Sequence, residues 1–317
     1  MRKAPTRGPT REPKEGERGD LKECIEKMLG DLSSKNVISA LNLAFVKCYL
    51  GENERVASKS ASGKAVTDYM PMFSRHVTVK LYEALDCRKI VDGVNSYVKS
   101  LYEEVSKLFD ASFLVEAKLE SRLTIWVSTP TLPLEVNISW DPVLNVPFIP
   151  SSSLKGAVRA YIESYSGSNQ AILSLKKKAD ILFGSDTGGL GLVHFFDGYP
   201  IGCGEDGKLL EPDVITPHYS EVKGSIDEAS ARPVPIVFPT IARGVKFGVI
   251  VGIDYCDESG SMRLSNDDLI NLLEALKGAM SAGIGAKTSV GYGRLTVTPH
   301  KLEPKNTGCG SSREATK

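Results

Sequence analysis

The hydrophobic pattern of this chain changes period at Arg122, and that change limits the folds open to it. Before it, apolar residues recur at helical spacing: Ile38, Leu41, Phe45 and Tyr49, then a longer stripe through Ile90, Val94, Val98, Leu101, Val105 and Leu108. After it, Leu123, Ile125 and Val127 alternate with Thr124, Trp126 and Ser128, as in a half-buried strand. A helical first third followed by alternating segments points to an α+β protein.

Further along, Leu154, Val158, Tyr161, Ile162 and Tyr165 share one helical face behind Ser151, Ser152 and Ser153, which can cap the helix start. The run Leu190–Phe196 and the alternation of Val245, Phe247, Val249, Val251, Ile253 and Tyr255 read as strands. Ser265 with Asp268 resembles a capping box and opens a helix through Leu269, Leu272, Leu273, Leu276 and Met280; a strand over Tyr292–Thr298 closes the series. The order from Arg122 is strand, helix, strand, long excursion, strand, helix, strand, the split βαβ pattern of a ferredoxin-like or RRM-type core. The expected organisation is a disordered Pro-rich, basic N-terminus over 1–20, a helical subdomain over 21–120, the core over 121–300 and a disordered tail over 301–317. The excursion over 198–235 is too long for a hairpin loop and reads as a functional insertion.

The 39 Lys and Arg balance 39 Asp and Glu, so a nucleic-acid site on this chain has to be local. The six cysteines show no CxxC or Cys/His pairing at metal-ligand spacing, and they read as buried or idle thiols. No cofactor or metal is expected. No apolar stretch reaches the roughly 20 residues of a membrane span, which leads to an expectation of cytoplasmic localisation with no membrane partner.

Two segments carry chemistry. In FIPSSSLKGAVRAY the helix-start amides, the serine hydroxyls and Lys155 with Arg159 four residues on make a plausible phosphate cradle; a capped amphipathic helix with solvated cations fits the same pattern. In GIGAKTSVGYGRL, Gly283, Gly285, Gly291 and Gly293 interleave with Lys287, Thr288, Ser289, Tyr292 and Arg294. That pattern suits either an anion-binding nest or a loop that needs positive φ for its own fold. No glycine precedes Lys287 in Walker A order, and the loop runs from helix into strand, so a nucleotide fingerprint is not implied.

LFG at 182–184, FIPSSSLKGAVR, TPHY at 216–219, RPVP at 232–235 and GIGAKTSVGYGRL together resemble the RAMP superfamily of CRISPR proteins, and within it the sixth-subunit group of the type III-B Cmr complex. The resemblance implies an RRM-like backbone subunit that binds CRISPR RNA near the 3′ end of the guide and, through it, target RNA, beside other Cmr and RAMP subunits in antiviral defence. It would make Ser151, Ser152, Ser153, Lys155, Arg159 and the 283–294 loop contacts to RNA backbone. The 198–235 excursion would be a thumb, with His218, Tyr219, Lys223 and Arg232 as its contacts. Ser151 stands where the family usually has glycine.

The resemblance assigns these motifs to a non-cleaving subunit, so no enzyme activity is expected. A RAMP-type processing endoribonuclease is the alternative. Asp141, the nearest counterpart of a cleaving aspartate, precedes a proline and reads as a turn former. His218 and Tyr219 could suggest acid–base cleavage, but His76, His194 and His300 show no evident partner in the sequence. Glu205, Asp206 and Asp213 read as a solvated loop rather than an ion site.

Overall fold

The computed structural model describes residues 15–50, 70–127, 131–185, 189–216, 221–222, 225–226, 235–257 and 259–304. In chain order the principal elements are helices α1 (Glu15–Leu29), α2 (Val37–Ala44), α3 (Met70–Ala84) and α4 (Cys87–Leu108), then strand β1 (Ala111–Leu119). Helices α5 (Ser151–Ser164), α6 (Gln170–Lys177) and α7 (Ala179–Phe183) precede strands β2 (Val193–Phe195), β3 (Tyr199–Gly202), β4 (Leu210–Ile215), β5 (Ile236–Ile241) and β6 (Lys246–Ile253). Helix α8 (Asn266–Ala282) and strand β7 (Leu295–Pro304) complete the series. Among the described residues no helix is long and apolar enough to cross a membrane.

Two compact units emerge. The first gathers residues 1–86, 127–145 and 210–240. Here α1 packs on α2 and α3, burying Leu21, Ile25, Leu29, Leu41, Phe73, Val77 and Leu81. After α2 the helix widens into a π-helical turn, Phe45–Leu50, in which Phe45 stacks on Tyr49 at 4.6 Å and each ring meets Phe73 in a T-shaped arrangement. A Cys24–Cys48 disulfide ties this turn to α1.

The second unit holds residues 87–126, 146–209 and 241–317, with an antiparallel sheet in the order β7-β1-β6-β2. β3 pairs with the early part of β6, where Phe247 faces Pro200, and β2 with its end, where Val251 faces Phe195. From Phe247 onward every residue of β6 is buried, so the strand is covered on both faces. On one face Phe113, Val115 and Ala117 of β1 lie opposite Val251, Val249 and Phe247. On the other, Gly248 and Gly252 leave room for α4 and the residue after it: a Cβ at Gly248 would stand 2.8 Å from Val98, and one at Gly252 2.5 Å from the Phe109 ring. Helices α5 and α8 pack together, the Tyr161 ring filling the space beside Gly278. The capping box at Ser265 and Asp268 is present, and Lys178 Nζ lies 2.8 and 2.9 Å from the two Asp268 oxygens.

Several sequence expectations change. The first core strand is β1, not Arg122–Ser128: within the latter, Leu123 and Thr124 form single bridges to Ile241 and Ala286, and Trp126 then turns to φ 62, which ends pairing. The stretch expected to be helical up to residue 120 therefore contains a sheet strand. Residues 15–20, expected to be disordered, begin α1, and residues 301–304, expected in a tail, end β7 as the partner of β1. Within the 198–235 excursion, Tyr199–Gly202 belongs to the sheet as β3 and Leu210–Ile215 pairs with β5. The cysteines are not idle: besides Cys24–Cys48, a disulfide joins Cys87 at the start of α4 to Cys203 just after β3.

Replacing Gly252 by Val should cost about 1–3 kcal/mol of stability through overpacking against Phe109. Phe109→Ala in the same chain should recover part of that loss in denaturant titrations. Equal stability of Gly252→Val and the parent chain would contradict this packing.

Candidate nucleic-acid interface

Helix α5 starts behind Pro150, so its serines form the first turn rather than the cap, and no side chain caps the helix in the Ncap position. The acceptor is supplied from elsewhere: Asp197 Oδ1 accepts the Ser151 N–H at 2.6 Å. The Ser153 and Leu154 amides donate to Pro150 O. Only the Ser152 N–H of this turn remains unpartnered among the described residues. The expected cradle of several free amides is thereby reduced to one, with a carboxylate beside it.

The two cations of this helix part company. The side chain of Lys155, half-buried, makes no hydrogen bond or ion pair among the described residues. Arg159 donates from Nε to Glu163 Oε1 at 2.7 Å and from Nη1 to the Gly184 carbonyl at 3.2 Å, with Asp180 at 3.8 Å. Its guanidinium thus clamps the end of α7, joining the SSSLKGAVR and LFG segments.

The 283–294 loop closes on itself and on the segment before Trp126. Ile284 donates to Gly293 O, Gly293 to Arg122 O and Ala286 to Thr124 O, all within 2.8–2.9 Å. Gly283, Gly285, Gly291 and Gly293 all have positive φ, and so does Lys287 at 62°. What each glycine avoids differs. A Cβ at Gly293 would lie 1.9 Å from Ile284 O and one at Gly285 2.3 Å from Thr124 O, whereas at Gly291 nothing comes within 4 Å. Gly285 and Gly293 therefore serve the loop's own closure, and Gly291 alone of the three faces open space. Thr288–Val290 form a 3₁₀ turn that leaves Ser289 exposed, and Lys287 Nζ sits 4.2 Å over the Tyr292 ring. Arg294 is exposed; its backbone is fixed by Ser121 Oγ and Glu120 N, and its guanidinium has no partner among the described residues.

These segments meet at one end of the unit. Thr124 is bridged to Ala286 of the loop; two residues later the Trp126 ring packs 5.9 Å from Phe148, three residues before α5. Sequence reasoning placed Trp126 on a strand and did not single it out; the signal was a large aromatic standing on the polar side of an alternation. The sheet face next to α4 is closed by Val98, Tyr102 and Phe109, so a ligand cannot lie across it.

The remaining candidates are committed elsewhere or undescribed. Asp141 Oδ1 accepts the Val143 and Leu144 amides at 2.8 Å each, as a turn former does. His194 and His300 do have partners, Asp254 at 3.3 Å and Glu116 at 3.5 Å. Burial, then the charges of Lys22 and Arg75, lower the pKa of His76 below its ordinary value. Glu205 faces Arg243 at 3.4 Å, and Asp213 Oδ1 accepts the Val214 amide. His218, Tyr219, Lys223 and Arg232 lie outside the described residues.

The chain belongs to the RAMP superfamily, whose sequence profile matches residues 133–296. Proteins it resembles include Cmr6 subunits of CRISPR systems. The Cmr6 of Saccharolobus solfataricus is 31% identical over 218 residues, covering 65% of this chain and 68% of that protein. The Cmr6 of Pyrococcus furiosus is 36% identical over 113 residues, 33% of this chain and 30% of its own length. A chain in the cryo-EM structure of the type III-B Cmr-beta bound to cognate target RNA superposes with a TM-score of 0.64 at 27% identity, covering 89% of this chain and 97% of that one.

Gly293→Ala should unfold the loop or cost more than about 2 kcal/mol, because its Cβ collides with backbone, while Gly291→Ala should cost only the roughly 1 kcal/mol of a positive φ. Thermal melts of the two variants decide it; equal losses would mean that self-closure does not require glycine at 293.

Proposed function

We propose that this chain is a guide-RNA-binding backbone subunit of a type III-B Cmr effector complex, cytoplasmic, seated near the 3′ end of the guide and without catalysis of its own. The observation that carries the proposal is the superposition over 97% of a chain from an RNA-bound Cmr-beta structure, joined to two unpartnered cations, Lys155 and Arg294, on segments that meet through Thr124 and Trp126. The antiparallel order β7-β1-β6-β2, with α5 between β1 and β2 and α8 between β6 and β7, supports reading the core as ferredoxin-like and RRM-type. It differs from an RNA reader that stacks bases on its open sheet face, because α4 fills that face. Phosphate contacts then come from the loop end, and neighbouring subunits extend the groove, in keeping with a chain of no net charge. Asp141 is absorbed by its own turn, which supports the absence of a cleaving aspartate.

A tagged chain purified from its host should bring down CRISPR RNA and other Cmr subunits; recovery of the chain alone would sink the proposal. In filter binding of the assembled subunits, Lys155→Ala with Arg294→Ala should lower the slope of log affinity against log salt by about 1.4, roughly 0.7 for each lost contact to single-stranded RNA. An unchanged slope would remove both residues from the interface. Target cleavage by the complex should survive Asp141→Ala, and loss of a cleavage product in an otherwise intact complex would show that Asp141 is catalytic.

A further inference from the structure

Trp126 combines three properties that packing alone does not explain. Its φ of 62° is a conformation that bulky side chains rarely adopt, at a cost on the order of 1–3 kcal/mol unless the surroundings enforce it. The residue is 40% exposed, while the chain's other tryptophan, Trp140, is 2% exposed and donates its indole N–H to Asn145 Oδ1. The Trp126 indole N–H has no partner among the described residues. The conformation is enforced from the preceding residues: the Leu123 amide donates to Ile241 O, Ile241 donates back to Leu123 O, and Thr124 exchanges hydrogen bonds with Ala286. Phe148 meets the ring in a T-shaped arrangement, and Phe148 is itself stacked on the buried Tyr199 at 6.0 Å. A rigid aromatic row therefore ends in one exposed indole, beside the loop that carries Arg294 and the helix that carries Lys155.

We infer that Trp126 is a stacking platform for an unpaired nucleobase of the bound RNA, an inference that rests on the RNA-binding reading above. A base has a π-face whatever its identity, so the contact adds affinity without reading sequence. Lys155 and Arg294 hold phosphates on the strand that presents the base, and the open side of Gly291 lets that strand approach the loop. The positive φ ends pairing at Trp126, so no neighbouring strand continues past it and the indole stays 40% exposed.

The test uses the full chain assembled with its Cmr partners on a guide in which uridines are replaced by 5-iodouridine, a base that crosslinks on irradiation to the aromatic ring it stacks on. Mass spectrometry should find an adduct on Trp126. Trp126→Leu should abolish that adduct and weaken guide binding about 10-fold, while Trp126→Phe keeps most of both, and thermal melts of each variant verify folding. Adducts elsewhere on this chain but none at Trp126, with guide affinity unchanged in a folded Trp126→Leu, would overturn stacking and leave RNA binding standing. Loss of a partner subunit from Trp126→Leu without weaker guide binding would assign the indole to a protein contact instead and likewise overturn it. A wild-type assembly that retains no guide at all would overturn both readings.

Discussion

Gly248 and Gly252 set the terms for the second unit. Without a Cβ at either position, Val98 and Phe109 reach the backbone of β6 and close one face of the sheet, while Phe113, Val115, Val249 and Val251 bury the other. Sealing both faces stabilises the strand through apolar burial on each side. It also removes the broad, flat surface on which a small antiparallel sheet can bind an extended ligand. What remains for function is the end of the sheet, where loops emerge and backbone is accessible.

At that end, motif residues divide between holding the fold and facing out. Arg159 clamps the Gly184 carbonyl, Asp197 takes the Ser151 amide, and Gly285 and Gly293 let the closing loop lie against Thr124 and Ile284. These are contacts within the protein, and each fixes the position of a neighbour that is not so committed: Lys155 one turn before Arg159, Arg294 next to Gly293, and Trp126 two residues after Thr124. On the proposed RNA-binding reading, a surface built this way needs few free groups, since their directions are set by hydrogen bonds made within the protein.

Long, strongly periodic elements were legible from residues alone. Helix α4, helix α8 with its Ser265–Asp268 box, and strand β6 with its strict alternation all lie close to where their patterns put them. Strand β1 was missed because its apolar residues follow the α4 stripe without a break, and the more conspicuous alternation after Arg122 drew the assignment instead. That alternation was real but served single bridges to Ile241 and Ala286, since a ladder needs a partner strand and Trp126 turns away. The role of Arg159 could not be read locally, because its carbonyl acceptor is 25 residues away and became visible only when α7 folded back. The glycines of the closing loop were recognised as a group, but whether a given one admits a ligand or the protein's own carbonyl depends on what lies opposite, which spacing does not encode.

On the proposed reading, guide RNA runs past the loop end of this sheet and not across its face. A cryo-EM map of the chain in its assembled ribonucleoprotein tests that most directly. Expected is continuous density for the RNA backbone passing Lys155, Gly291 and Arg294, with a base against Trp126 and α4 still packed on β6. Density for the guide on the β6 face with α4 displaced, or a guide path that never touches these residues, would contradict it.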